Sequence, residues 1–119
     1  RIKMFKKEEF QRLCVERDLL HPEDYIETEK KWDSLLLLIS SEDDLRLLID
    51  YMDTEMSGNE YGTLSEISDD IVIRFPSMVF IEAYQRLANK YPVETKRWNI
   101  QAFIDDASSI VSEKLEGLN

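Results

Sequence analysis

Between Ser41 and Asp53, apolar residues fall at Leu45, Leu48, Ile49 and Met52. This i, i+3, i+4, i+7 spacing puts four side chains on one face of an α-helix. A strand could not hold the same stripe, because successive strand residues point to opposite faces of a sheet. The period recurs along most of the chain, and only three Gly and three Pro interrupt 119 residues, too few for a sandwich or barrel of many tight turns. The expected fold is all-α. About six helices in antiparallel hairpins would form a compact bundle or a short HEAT-like stack of helix pairs within one domain, 1–119.

In chain order, residues 5–20 form a first helix with Phe10, Leu13, Cys14 and Arg17 at helical spacing, Phe5 one turn ahead and Leu20 one turn behind. Pro22 favours a new helix start, so a second helix is expected from there to about Ile39, with Tyr25, Trp32, Leu36 and Ile39 inward. The run Leu35 to Ile39 calls for burial on more than one side. Ser41 followed by Asp44 is a Ser-x-x-acid start signal for a third helix through about Asp53. Thr54 to Thr63, with Gly58, Asn59 and Gly62, reads as a loop. A fourth helix follows from Leu64 to Phe75 with Thr63 as N-cap, the alternative being an α+β fold with a short strand at 71–75. Ser77 caps a fifth helix to about Lys90, and Pro92 breaks the chain. A last helix over Trp98 to Leu115 turns Ile100, Phe103, Ala107, Ile110 and Val111 inward, with Gly117 just beyond it.

Charge is distributed far less evenly than hydrophobicity. Ser41 to Asp70 carries ten acids against the single base Arg46, a net −9, while residues 1–40 carry −1 and residues 71–119 carry none of the total of −10. Such a chain repels nucleic acid and anionic membranes, and the partners its field favours are cationic proteins. The single cysteine, the absence of an apolar run longer than Leu35 to Ile39 and the lack of a leader-like start give a cytoplasmic expectation.

Sites of chemistry are sparse. Cys14 and His21 would share a helical face only if the first helix continued past Pro22, and Cys14 lies on the apolar stripe, where a small buried thiol is the ordinary outcome. The pairs Asp43-Asp44, Asp69-Asp70 and Asp105-Asp106 fit solvated helix faces without any need for acid–base work. Asp53, Glu55, Ser57 and Gly58 occupy positions 1, 3, 5 and 6 of an EF-hand-like loop, but the bidentate acid of position 12 is replaced by Leu64. No Gly-rich phosphate loop, Cys/His metal set or basic-aromatic patch occurs, so no cofactor or metal is expected. Trp32 and Trp98 read as core aromatics. What remains is a binding surface rather than an active site: Asp43, Asp50, Asp53, Glu55, Glu60, Glu66, Asp69 and Asp70, with Tyr61 as an aromatic anchor in the loop between them.

Leu35 to Asp105 consists of apolar helices broken by Ser-Glu-Asp-Asp, Gly-Asn-Glu-Tyr-Gly, Phe-Pro-Ser and Tyr-Pro, then Trp98-Asn99 before a final helix. With its acidity, this texture resembles the helical immunity proteins of bacterial polymorphic-toxin and contact-dependent growth inhibition systems. The resemblance implies binding to a cognate basic toxin domain, often a nuclease, and inhibition by blocking substrate access. Electrostatic substrate mimicry by the acidic face would then make Lys at Asp50 and Glu66 slow association at least tenfold at low salt. Two other classes stay open: a helical-repeat adaptor that binds through an apolar groove, and a small hydrolase.

Overall fold

The computed structural model describes residues 3–117, which form seven helices and no strand. They are α1 (Lys7–Asp18), α2 (Tyr25–Leu37), α3 (Glu42–Thr54), α4 (Gly58–Arg74), α5 (Met78–Lys90), α6 (Pro92–Arg97) and α7 (Ile100–Glu116). The strand alternative at 71–75 does not form. Ile71 and Val72 are buried in the last turns of α4, and Phe75 follows as its C-cap with an amide bonded to the Ile71 carbonyl at 2.8 Å.

Side-chain caps define several starts. Asp24 accepts the Glu27 amide at 3.2 Å and begins α2 three residues beyond Pro22, because Pro22 and Glu23 are spent in a turn closed by the Asp24 amide on the His21 carbonyl. Ser41 caps α3 through the Asp44 amide, as the sequence signal requires, and Ser77 caps α5 through the Phe80 amide. The segment read as a loop, Thr54 to Thr63, is mostly helix. Ser57 and Glu60 form a reciprocal capping box that starts α4 at Gly58, and Thr63 is a buried residue of the second turn rather than the N-cap.

Sequence neighbours pack as α1 on α2 and α6 on α7, but the larger contacts join helices that are not adjacent in the chain. The most extensive contact is α4 on α7; α4 also meets α1, α2 and α6, while α3 packs on α5 and α5 on α7. The arrangement is a bundle gathered round α4. Its core collects Phe10, Leu35, Leu48, Tyr61, Phe80 and Tyr84, each fully buried, and burial of such side chains contributes about 1.5–3 kcal/mol apiece. The expected stripe of the third helix, Leu45, Leu48, Ile49 and Met52, is buried, as are Ile81, Tyr84, Leu87 and Ala88 at the same spacing in α5.

Two inward assignments change. Tyr25 stands 76% exposed at the start of α2, where Thr28 takes the buried position, and in the last helix Phe103 turns outward while Ile104 turns in. Around Pro92 the chain does not simply break. Proline at the first position opens the six-residue α6, and Asn99 in the left-handed region (φ 51°) turns it into α7. No helix among the described residues is long and apolar enough to cross a membrane.

Candidate functional site

The acids of the 41–70 run divide into those that the fold uses and those it leaves uncompensated. Asp44 receives the Ser40 amide at 2.9 Å and Lys3 Nζ at 2.6 Å. Burial alone would raise its carboxyl, but these donors and the Ser41 hydroxyl outweigh burial and hold it below the usual range. Asp53 accepts Nε and Nη2 of Arg86 at 2.9 and 3.0 Å, joining α3 to α5, and Glu55 accepts Lys7 at 3.0 Å. Asp43 pairs with Arg46 one turn ahead. Such exposed pairs contribute between nothing and about 1 kcal/mol each, so their value here is mainly orientation.

Glu66 is the most heavily committed. Arg17 of α1 donates to it twice, at 2.8 and 2.7 Å, and the Trp32 indole of α2 donates at 2.9 Å, so one carboxylate ties three helices together. Trp32 is therefore half-buried rather than enclosed.

Glu60 and Tyr61, expected at a solvent-facing loop, are corrected to the interior. Glu60 is only 7% exposed; its Oε1 accepts the Ser57 amide at 2.9 Å and its Oε2 accepts the Tyr51 hydroxyl at 2.7 Å. Tyr61 is fully buried, with its ring stacked on Tyr91 at 6.0 Å and set edge-on to Tyr84 at 6.2 Å. Its hydroxyl shares a hydrogen bond with Thr95 at 2.7 Å. It anchors α6 onto α4 from within and cannot reach a partner.

Besides the buried Glu60, four acids of the run remain without an ion pair among the described residues: Glu42, Asp50, Asp69 and Asp70. They do not lie together. Asp50 borders Lys3, Asp43 and Arg46 on the outside of α3, whereas Asp69 looks across the α4–α7 seam. Asp69 is half-buried, its Oδ1 has no hydrogen-bond partner among the described residues, and burial together with the charges of Asp106 and Asp70 holds its carboxyl above the ordinary value.

A concavity of about 480 Å³ lies between the end of α1, the first half of α4 and the start of α7. Arg17, Asp18 and Leu20 line it from the end of α1 and the turn that follows, Gly62, Thr63 and Glu66 from α4, and Trp98 and Phe103 from the α6–α7 corner and the start of α7. Both aromatics are well exposed, Trp98 at 38% and Phe103 at 40%, so Trp98 is not the enclosed core residue expected. Its position depends on Gly62: a Cβ there would stand 2.5 Å from Cζ3 of the Trp98 ring. Asp18 has no ion pair among the described residues; burial raises its carboxyl, Arg17 opposes that and Glu66 adds to it. A second cleft of about 370 Å³ between α3 and the start of α5 has Leu45, Ile49 and Phe75 as its base and the exposed Val79 at its rim.

Cys14 and His21 are not brought together as a pair. The thiol is buried and pushed up to about 12, chiefly by burial and then by the Glu60 charge, while His21 is exposed and accepts the Glu23 amide at Nδ1. The EF-hand-like spacing dissolves because Ser57 and Gly58 begin a helix, and no group of three or more His, Cys, Asp or Glu side chains suited to a metal occurs among the described residues. Compared with protein-family models, with curated proteins and with solved structures, the chain finds no match.

Proposed function

We propose that this protein binds a basic protein partner and acts as an immunity protein, neutralising a cognate nuclease-type toxin domain by blocking substrate access. The observation that carries this reading is the uncompensated acid left on the surface after the fold has taken what it uses. Asp50 and Asp70 face solvent without a counter-ion among the described residues, and half-buried Asp69 sits beside like charges that no cation of the described chain offsets. A lysine or arginine from a partner would relieve that repulsion and gain from it. Glu42 adds to the charge on the α3 side, where Asp43 is offset by Arg46, while Asp53, Glu55 and Glu66 contribute through structure rather than as free contacts.

Long-range attraction of this kind raises association rate and specificity more than equilibrium affinity, because burying charged pairs carries a desolvation cost. Tagged protein exposed to cell lysate and secreted fractions, washed at low and at high salt, should retain a basic toxin-like domain whose nuclease activity stops on binding. Retention of a neutral partner equally well in high salt would contradict this reading and favour the adaptor. That second reading draws on the apolar α3–α5 cleft and the neighbouring exposed Ile73, Met78 and Val79.

A further inference from the structure

The groove between α1, α4 and α7 combines a charge, two aromatic side chains and a preset shape. Its charged lining is Arg17, Asp18 and Glu66. Arg17 is engaged by its two hydrogen bonds to Glu66, which pairs those two charges, and Asp18 is the lining carboxylate without an ion pair among the described residues. Trp98 and Phe103 line the same groove, each more than a third exposed despite its size. Trp98 lies with its ring edge against Gly62 and the Arg97 guanidinium 5.9 Å from its ring centre, contacts that lower the ordering cost of meeting a guest. The volume, about 480 Å³, lies in the range of clefts that enclose small ligands.

A negative residue that shares a groove with flat aromatic surfaces matches a flat cation. Guanidinium stacks on aromatic rings and offers a fork of donors to a carboxylate, whereas ammonium is a compact, strongly hydrated point charge. We propose that this groove is an anchor pocket for one arginine side chain of a protein partner, its guanidinium bonded to Asp18 and its flat face against Phe103 and the open side of Trp98. This deepens the basic-partner reading and rests on it for the identity of the guest's source. It places the strongest single contact away from the acidic residues of α3, in a concave and partly desolvated setting of the kind that concentrates binding energy.

The test uses the full chain, labelled with ¹⁵N, titrated with Nα-acetyl-arginine methylamide and with the citrulline counterpart, which keeps the shape and removes the charge. Expected are saturable shifts of the Trp98 indole and of the Asp18, Gly62 and Phe103 amides, with a dissociation constant of the order of 10 mM. Binding should weaken at least fivefold for citrulline and at least fivefold for Asp18→Asn, and stay unchanged for Glu82→Gln, an exposed acid of α5 outside the groove. Phe103→Ala, at an exposed position, gives a second variant should Asp18→Asn prove unstable, and it should weaken binding as well. Absence of saturation, equal response to citrulline, or shifts confined to the surroundings of Asp50 and Asp70 would overturn the pocket. The two readings can fail separately: capture of a basic partner that Asp18→Asn and Phe103→Ala bind as tightly as wild type removes the pocket alone, and arginine binding without any basic partner removes the broader function alone.

Discussion

The hydroxyl of Tyr51, near the end of α3, donates to Glu60 Oε2 in the first turn of α4 at 2.7 Å, while the other oxygen of the same carboxylate takes the Ser57 amide at 2.9 Å. One buried acid thus closes the α3–α4 corner and caps the central helix. Glu60→Ala should lower unfolding free energy by about 1–3 kcal/mol, since it removes the cap and a hydrogen bond in a buried setting. Glu60→Gln, which keeps an acceptor, should lose less. Urea denaturation of the two variants provides the comparison, and a wild-type midpoint for Glu60→Ala would refute the structural role.

Gly62→Ala tests the contact between α4 and Trp98. Helix propensity alone predicts a gain of up to about 1 kcal/mol, because alanine is the better helix former. The added methyl would meet the Trp98 ring at 2.5 Å, and overpacking of that kind costs about 1–3 kcal/mol. The net result should be a lower Tm and a blue or red shift of tryptophan emission. A more stable variant with unchanged emission would show that the ring moves aside freely.

Asp69→Asn should raise Tm by a few degrees at pH 7. Asp69 titrates above its ordinary value in the folded chain, through burial and then through Asp106 and Asp70. The folded state therefore binds this proton more readily than the unfolded chain, and the destabilisation is present above the folded value and relieved as pH falls through it. The advantage of Asn should shrink on acidification and be gone below the usual aspartate value of about 3.8. Thermal melts at several pH values would measure it; an advantage that does not vary with pH would contradict the assignment.

Glu66→Lys and Asp70→Lys make the same charge change one helical turn apart. The first breaks the links to Arg17 and Trp32 and places a cation beside Arg17, so it should lower Tm by several degrees. The second alters an exposed residue with no ion pair among the described residues and should leave Tm nearly unchanged. Equal effects on calorimetric melting would undo the division between structural and free acids.

Sequence periodicity located α3, α5 and most of α7, because in each the buried residues repeat at helical spacing and a Ser or Asn precedes the first turn. It misplaced the start of α4, although Ser57 and Glu60 carry the same start signal as Ser41 and Asp44. Gly58 and Gly62 obscured it: they resemble loop residues in one dimension, but they make room for Glu94 and Trp98 in three. Once that stretch read as a loop, Tyr61 had to be exposed and Glu60 available, whereas both are buried by packing against α6 and α3. The groove was invisible for a similar reason. Asp18, Gly62 and Phe103 are far apart in the chain and meet only through the α1–α4–α7 arrangement.

Association kinetics with a captured basic partner test the central claim most directly. At low ionic strength, the wild-type protein and an Asp50→Lys/Asp70→Lys variant should differ in association rate by tenfold or more, with the gap narrowing as salt rises and Tm staying close to that of wild type. Equal association rates at all salt concentrations would contradict an electrostatic binding role for these acids and return them to the task of keeping a small acidic protein dispersed.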